Sequence, residues 1–238
     1  MKISAEKINI SKESFHPKID FEMALGFLKR RKDRPDFLKW FLPKELHYIL
    51  NETYSEKEYS EIIENYINNK YSADKESIDI DFKRAKEEWQ KIENDYFSII
   101  EQIFNGYQFP KGKYTGIGTN FNMFPRFIQK KIFFFPLQHR RQGTAPYVIA
   151  HEMLHFIFFD YIDNKYSIKE GDKIKEDDPK YVWKVSEAFN TVMESWEPYK
   201  KLFKIDGRPY TETKEIFEEM KKQWSEKQDI DWLLDKWL

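Results

Sequence analysis

Apolar residues recur at three- and four-residue steps through Phe82, Ala85, Trp89, Ile92, Tyr96, Ile99, Ile100 and Ile103, the spacing that lays one stripe along a helix. Gly106 and Pro110 follow, a stop signal, because glycine closes a helix end and proline cannot continue one. Upstream, Ser55 and Glu58 have the spacing of a capping box. Tyr59, Ile62, Ile63, Tyr66 and Ile67 then repeat helically, with an end expected near Asn68 and Asn69. Nearer the N-terminus, Asp20 is placed to cap a helix through Phe21, Met23, Ala24, Phe27 and Leu28. A further helical segment is expected after Pro35, with a kink at Pro43. Residues 1 to 19, with mixed polar residues and Pro17, are expected to form a loosely structured or short-strand entry.

Beyond Pro110 the period changes. Ile117, Thr119, Phe121 and Met123 alternate with Gly118, Asn120 and Asn122, which predicts a half-buried strand at a sheet edge. Ile132 to Leu137 is a continuous apolar run, as in an inner strand. From Thr144 to Asp163 the chain is apolar on nearly every side of a helix, through Tyr147, Val148, Ile149, Ala150, Met153, Leu154, Phe156, Ile157, Phe158, Phe159 and Ile162. Thr144 and Pro146 supply a start signal there. Asp163 to Asp178 is too charged to pack and reads as a surface excursion. Asp178-Pro179 opens a helix lined by Tyr181, Val182, Val185, Ala188, Phe189, Val192 and Trp196. Gly207-Arg208-Pro209 marks a turn, and a last helix carries Ile216, Phe217, Met220 and Trp224 before a docking tail with Trp232, Leu233 and Trp237. The order predicts an α+β protein, mainly helical with a small mixed sheet. We expect an N-terminal helical region, cap or accessory, over residues 1–80 and a second, main domain over 81–238.

Composition narrows the chemistry. The chain has 238 residues, enough to bury a large core. It has no cysteine, which excludes disulfides, thiolate metal sites and cysteine nucleophiles. Its net charge of -1 offers no general attraction for nucleic acid or an anionic membrane. No signal-peptide core or spanning stretch is seen, so a cytoplasmic protein is expected, with no membrane or nucleic-acid partner.

Only His151, Glu152 and His155 interrupt the apolar helix, as His151-Glu152-Met153-Leu154-His155. Two histidines four apart share a helix face, with Cβ atoms about 5–6 Å apart, close enough to bind one metal ion. Burying three polar side chains is costly unless each finds a partner, and a Zn²⁺ ion with its water would satisfy all three. Glu152 suits a general base. A catalytic zinc needs a third protein ligand. The position six residues past His155 is Tyr161, so it cannot be a histidine there, and His16, His47 and His139 have no evident reason to converge. Glu187, on the helix after the charged excursion, is the best candidate. Glu194 shares its face one heptad later, and Glu170, Asp172, Glu176 and Asp160 are weaker alternatives.

With HExxH on one helix and a glutamate on a second, downstream helix, the sequence resembles the gluzincin group of zinc metallopeptidases, the thermolysin-like arrangement, over roughly residues 82 to 200. The resemblance implies a zincin-like fold, its sheet packed on the HExxH helix. It also implies one Zn²⁺ per chain on His151, His155 and Glu187, with Glu152 activating water for hydrolysis of a peptide or protein substrate. By the same resemblance the strand at Gly116 to Met123 would pair with substrate backbone. Family members often place an aspartate four residues after the ligand glutamate to orient a histidine. Here that position is Thr191, with Asp160 as a substitute. The transition-state donor has no motif, and Tyr210, or else Tyr199, is the candidate. Two other classes compete. Glu152 with His155 and Glu13 with His16 formally supply the two Glu-x-x-His pairs of a di-iron carboxylate protein. A catalytically silent or self-inhibited metal-binding protein is the other.

Overall fold

The computed structural model describes residues 8–10, 17–31, 35–51, 54–73, 75–137 and 144–238. Among these the chain is mostly helical, with a small mixed sheet of four strands ordered β1-β2-β4-β3. Strands β1 (Asn9–Ile10), β2 (Thr115–Thr119) and β4 (Ile132–Pro136) run parallel, and β3 (Arg126–Phe127) pairs antiparallel with β4 at one edge.

β4 is the inner strand that its apolar run predicts. β2 is not the expected edge: it lies between β1 and β4, and four of its five residues are buried. Its glycines explain the difference. A Cβ on Gly116 would lie 2.9 Å from the Phe133 ring, and one on Gly118 would lie 2.5 Å from Leu137. These positions read as the open face of an edge strand, yet large side chains of the neighbouring strand cover them. The strand also ends at Thr119, and Phe121 and Met123 turn away into the N-terminal helices.

Those helices are α1 (Pro17–Arg31), α2 (Pro35–Phe41) and α3 (Glu56–Ala73), with a 3-10 segment at Lys44–Leu50 after the break at Pro43. α3 has the expected capping box: Glu58 N–H donates to Ser55 Oγ at 3.3 Å, and Ser55 N–H donates to the Glu58 carboxylate at 2.7 Å. It runs past Asn68 to Ala73. Asp20 is no cap, because α1 already begins at Pro17. Its carboxylate is instead buried and accepts from Tyr71 Oη at 2.9 Å and from Asn120 N–H at 3.3 Å. Ala24, Leu28, Leu38, Leu42, Leu46, Ile49, Ile63 and Ile67 close around Phe121 and Met123 as a core of their own. The N-terminal helices thus grip the link between β2 and β3.

The larger core surrounds two helices. α4 (Lys75–Ile103) carries the predicted stripe and crosses residue 80 without a break. It ends through Asn105 and Gly106, both at positive φ. α5 (Ala145–Tyr166) is buried on almost every side; Phe133 on β4 packs on its Phe156, and Tyr96 on α4 donates to its Ala150 carbonyl at 2.9 Å. Thr144 stands at the N-cap, but its hydroxyl makes no capping bond. α6 (Tyr181–Glu194) follows the charged excursion and is held at its start by Asp178, whose side chain accepts from Lys180 N–H at 3.2 Å. Trp196 lies beyond α6, just before α7 (Glu197–Phe203). α8 (Lys214–Glu226) and α9 (Ile230–Leu234) complete the body. Among the described residues no helix is long and apolar enough to cross a membrane.

Candidate metal centre

One face of α5 carries Tyr147, His151, His155 and Phe159, each four residues from the next, and a helix stacks such positions one above another. Each rung meets a different partner. Tyr147 Oη donates to Glu194 Oε2 at 2.6 Å, and His151 Nδ1 lies 2.6 Å from Glu194 Oε1. His155 faces Glu187, and Phe159 stacks on the His155 ring at 20° and also meets the Arg126 guanidinium, 5.7 Å from the ring centre.

The opposing face belongs to α6, where Glu187, Asn190 and Glu194 follow at three- and four-residue steps. Asn190 Nδ2 donates to the His151 carbonyl at 2.9 Å. That bond fixes the register of the two helices and so places Glu187 opposite both histidines. Their ligand atoms converge: the two Nε2 atoms are 3.2 Å apart, Glu187 Oε1 is 3.4 Å from His155 Nε2, and Oε2 is 3.5 Å from His151 Nε2. Three donors on a tetrahedral ion with bonds of about 2.0–2.1 Å would be separated by about 3.3 Å. His151, His155 and Glu187 therefore form a buried group able to hold a metal ion.

The charges support the fit. Three carboxylates, Glu152, Glu170 and Glu187, face the one guanidinium of Arg126, and a fourth, Glu194, faces His151. A dication would reduce the excess. Burial works against charge at His151, but the carboxylates of Glu194 and Glu187 hold its pKa well above the usual imidazole value. His155, buried and close to Arg126, is pulled down to about 3 and stays neutral. Burial opposes ionisation of Glu187, yet the hydrogen bonds offered by His155 and His151 and the charge of Arg126 hold it well below the usual carboxylate range. Glu152 is pushed up to about 7 by burial, against the lowering influence of His151 and Arg126. Its Oε2 is buried without a hydrogen-bond partner.

Compared with known proteins, the chain matches no family model, no curated protein and no solved structure. The site is defined by its own geometry.

The remaining candidates fall into place around it. Tyr210 lies on the loop after α7, half exposed, against Trp183 at 6.0 Å between ring centres. Desolvation at its hydroxyl, with the charges of Glu187 and Glu152 added, raises its pKa and keeps it protonated. Tyr199 belongs to the core: it is fully buried and packs on Phe203 and Tyr96. Thr191 does not orient a histidine; its hydroxyl bonds back to the Glu187 carbonyl at 2.8 Å. Asp160 does not substitute for it either, since its carboxylate accepts from Tyr107 at 2.7 Å. The carboxylate that meets a histidine ring nitrogen is Glu194, and its place on the face of Glu187, seven residues on, was the signal for it. Asp172 and Glu176 are exposed, as their charged surroundings predict, but Glu170 turns inward to Arg126. His47 sits in the N-terminal helices, 3.0 Å from the Leu42 carbonyl. Glu13, His16 and His139 lie outside the described residues. Arg126 is the group that sequence reasoning missed. It stands on a two-residue strand with no motif around it, and only the antiparallel edge pairing turns it toward the site.

Proposed function

We propose that this chain is a zinc metallopeptidase of zincin-like fold, with His151, His155 and Glu187 as metal ligands and Glu152 as general base. The observation that carries the reading is the convergence of three ligand atoms at tetrahedral spacing beside a buried carboxylate oxygen that accepts no hydrogen bond. A purely structural site would have no use for that fourth group. When bound, zinc supplies Lewis acidity, lowering the pKa of water and polarising a carbonyl.

The protein's own groups account for the rest. Glu152 takes the proton of the attacking water and hands it to the departing amine, so no covalent acyl intermediate forms. Once Nε2 has given up its proton, Glu194 holds the remaining His151 proton on Nδ1, which donates to the carboxylate and leaves Nε2 free to ligate. Tyr210 remains a phenol and can donate a hydrogen bond to a developing oxyanion.

One contact favours a second reading. Arg126 Nη1 donates to Glu187 Oε1 at 3.2 Å, so the same residues could form a metal-free ion network that only stabilises the fold. Metal content of the purified full chain separates the two, together with hydrolysis of a peptide library by wild type and Glu152→Gln. One zinc in both proteins, with cleavage only by wild type, supports the peptidase. Absence of metal from both after zinc incubation would sink it.

A further inference from the structure

Arg126 has more hydrogen-bonding capacity than its neighbours use. Its side chain is 10% exposed, and burying a guanidinium is costly unless its charge and its N–H groups are met. Nη1 reaches Glu187 at 3.2 Å and lies 3.9 Å from Glu152 Oε2. Nε is buried and has no hydrogen-bond acceptor. Glu170 Oε1 approaches it at 3.4 Å, which makes an ion pair but not an aligned bond.

The three carboxylates differ in how firmly they are held. Glu187 and Glu152 project from helices in the core and are almost fully buried. Glu170 sits in a turn beside Gly171, at φ +90°, in an exposed stretch, and its side chain is 37% exposed. Among the described partners of Arg126 it is the one that can leave without disturbing a helix. Arginine pairs best with a carboxylate when two parallel N–H groups meet two oxygens, and Nε–H is one arm of such a fork.

We propose that Arg126 recognises a carboxylate on the substrate, and that Glu170 occupies this position in the free protein. The inference rests on the peptidase reading and deepens it: the preferred substrates are peptides bearing a carboxylate beside the scissile bond, supplied by a free C-terminus or by an acidic side chain. Arg126 acts as a binding group and Glu170 as its displaceable stand-in.

The test uses three probes on the full chain, zinc-loaded and chelator-treated: acetyl-Leu-Ala with a free C-terminus, its C-terminal amide, and acetyl-Leu-Glu amide. Binding is followed by NMR titration, and amine release is measured separately. At least one acid binds more tightly than the neutral amide, and which one identifies the source of the carboxylate. In Glu170→Gln the acid-over-amide ratio rises about fivefold, the size of a partly exposed ion pair. In Arg126→Gln the ratio falls to one. If Arg126→Gln does not fold, Glu170→Gln alone decides. Equal binding of acids and amide, or an unchanged ratio in Glu170→Gln, overturns the proposal. Amine release without acid preference would leave the peptidase reading standing and remove this inference. Acid preference without amine release from any probe would do the reverse.

Discussion

Replacing Glu194 tests how the site is held rather than what fills it. The carboxylate is buried and takes two short bonds, from Tyr147 Oη and at His151 Nδ1, both 2.6 Å. In Glu194→Gln the amide oxygen can still accept from His151, but charge assistance is lost. Hydrogen bonds to a charged group contribute about 1.5–3 kcal/mol and neutral ones about 0.5–1.5, so about 1 kcal/mol is removed. That is about a fivefold loss of zinc affinity. In Glu194→Ala nothing orients the ring, and losing such a supporting group costs about 10- to 100-fold in metal affinity. The Tyr147 hydroxyl is then buried unpaired, which destabilises the fold by about 1–3 kcal/mol. Tyr147→Phe is the control: it loses one bond to Glu194 and keeps the one to His151, so stability falls by about 1 kcal/mol with little change in zinc binding. Competition against a chromophoric chelator gives the affinities, and thermal melts of chelator-treated protein give the stabilities. A folded Glu194→Ala protein that binds zinc within about twofold of wild type would refute the orienting role.

Two further outcomes follow from the geometry. Glu187→Ala removes the only carboxylate among the three converging donors, and zinc affinity measured by the same competition drops by an order of magnitude or more; unchanged affinity would exclude Glu187 as a ligand. Gly207→Ala places a Cβ 2.7 Å from the Thr191 carbonyl oxygen and 2.9 Å from Glu194 Cβ. Neither α6 backbone nor Glu194 can give way easily, so overpacking costs about 1–3 kcal/mol, read as a lower melting temperature, and displaces the loop that carries Tyr210. A variant as stable as wild type would show that this loop yields.

What could be read from the sequence follows the range of the interactions involved. The α5 helix, its two histidines and Glu152 were legible because polar residues in an apolar helix stand out within a few positions. The capping box at Ser55 and Glu58 was legible for the same reason. Glu187 was within reach because α6 had a start signal at Asp178 and a clear apolar face. Glu194 was noticed on that face, but its role depends on Asn190 setting the register between two helices, a contact 39 residues apart in sequence. Arg126 and Glu170 depend on how an edge strand and an exposed turn fold back over the site, and no local pattern encodes that. The place of β2 was missed for a different reason: glycine reads as neutral, and whether it faces solvent or an aromatic ring is decided by the neighbouring strand.

The all-round burial of α5 divides the site by how fast its parts can open. Amides near His151 and His155 belong to the most protected interior and exchange with solvent only when much of the larger core opens. Glu170 and Tyr210 sit on surface segments whose fluctuations cost far less. If the site is used as proposed, metal holding and ligand selection are thereby uncoupled in time, and also in tolerance to change. On the proposed reading, the loops can be resequenced to accept a different ligand while the helix that carries the candidate metal site stays as it is.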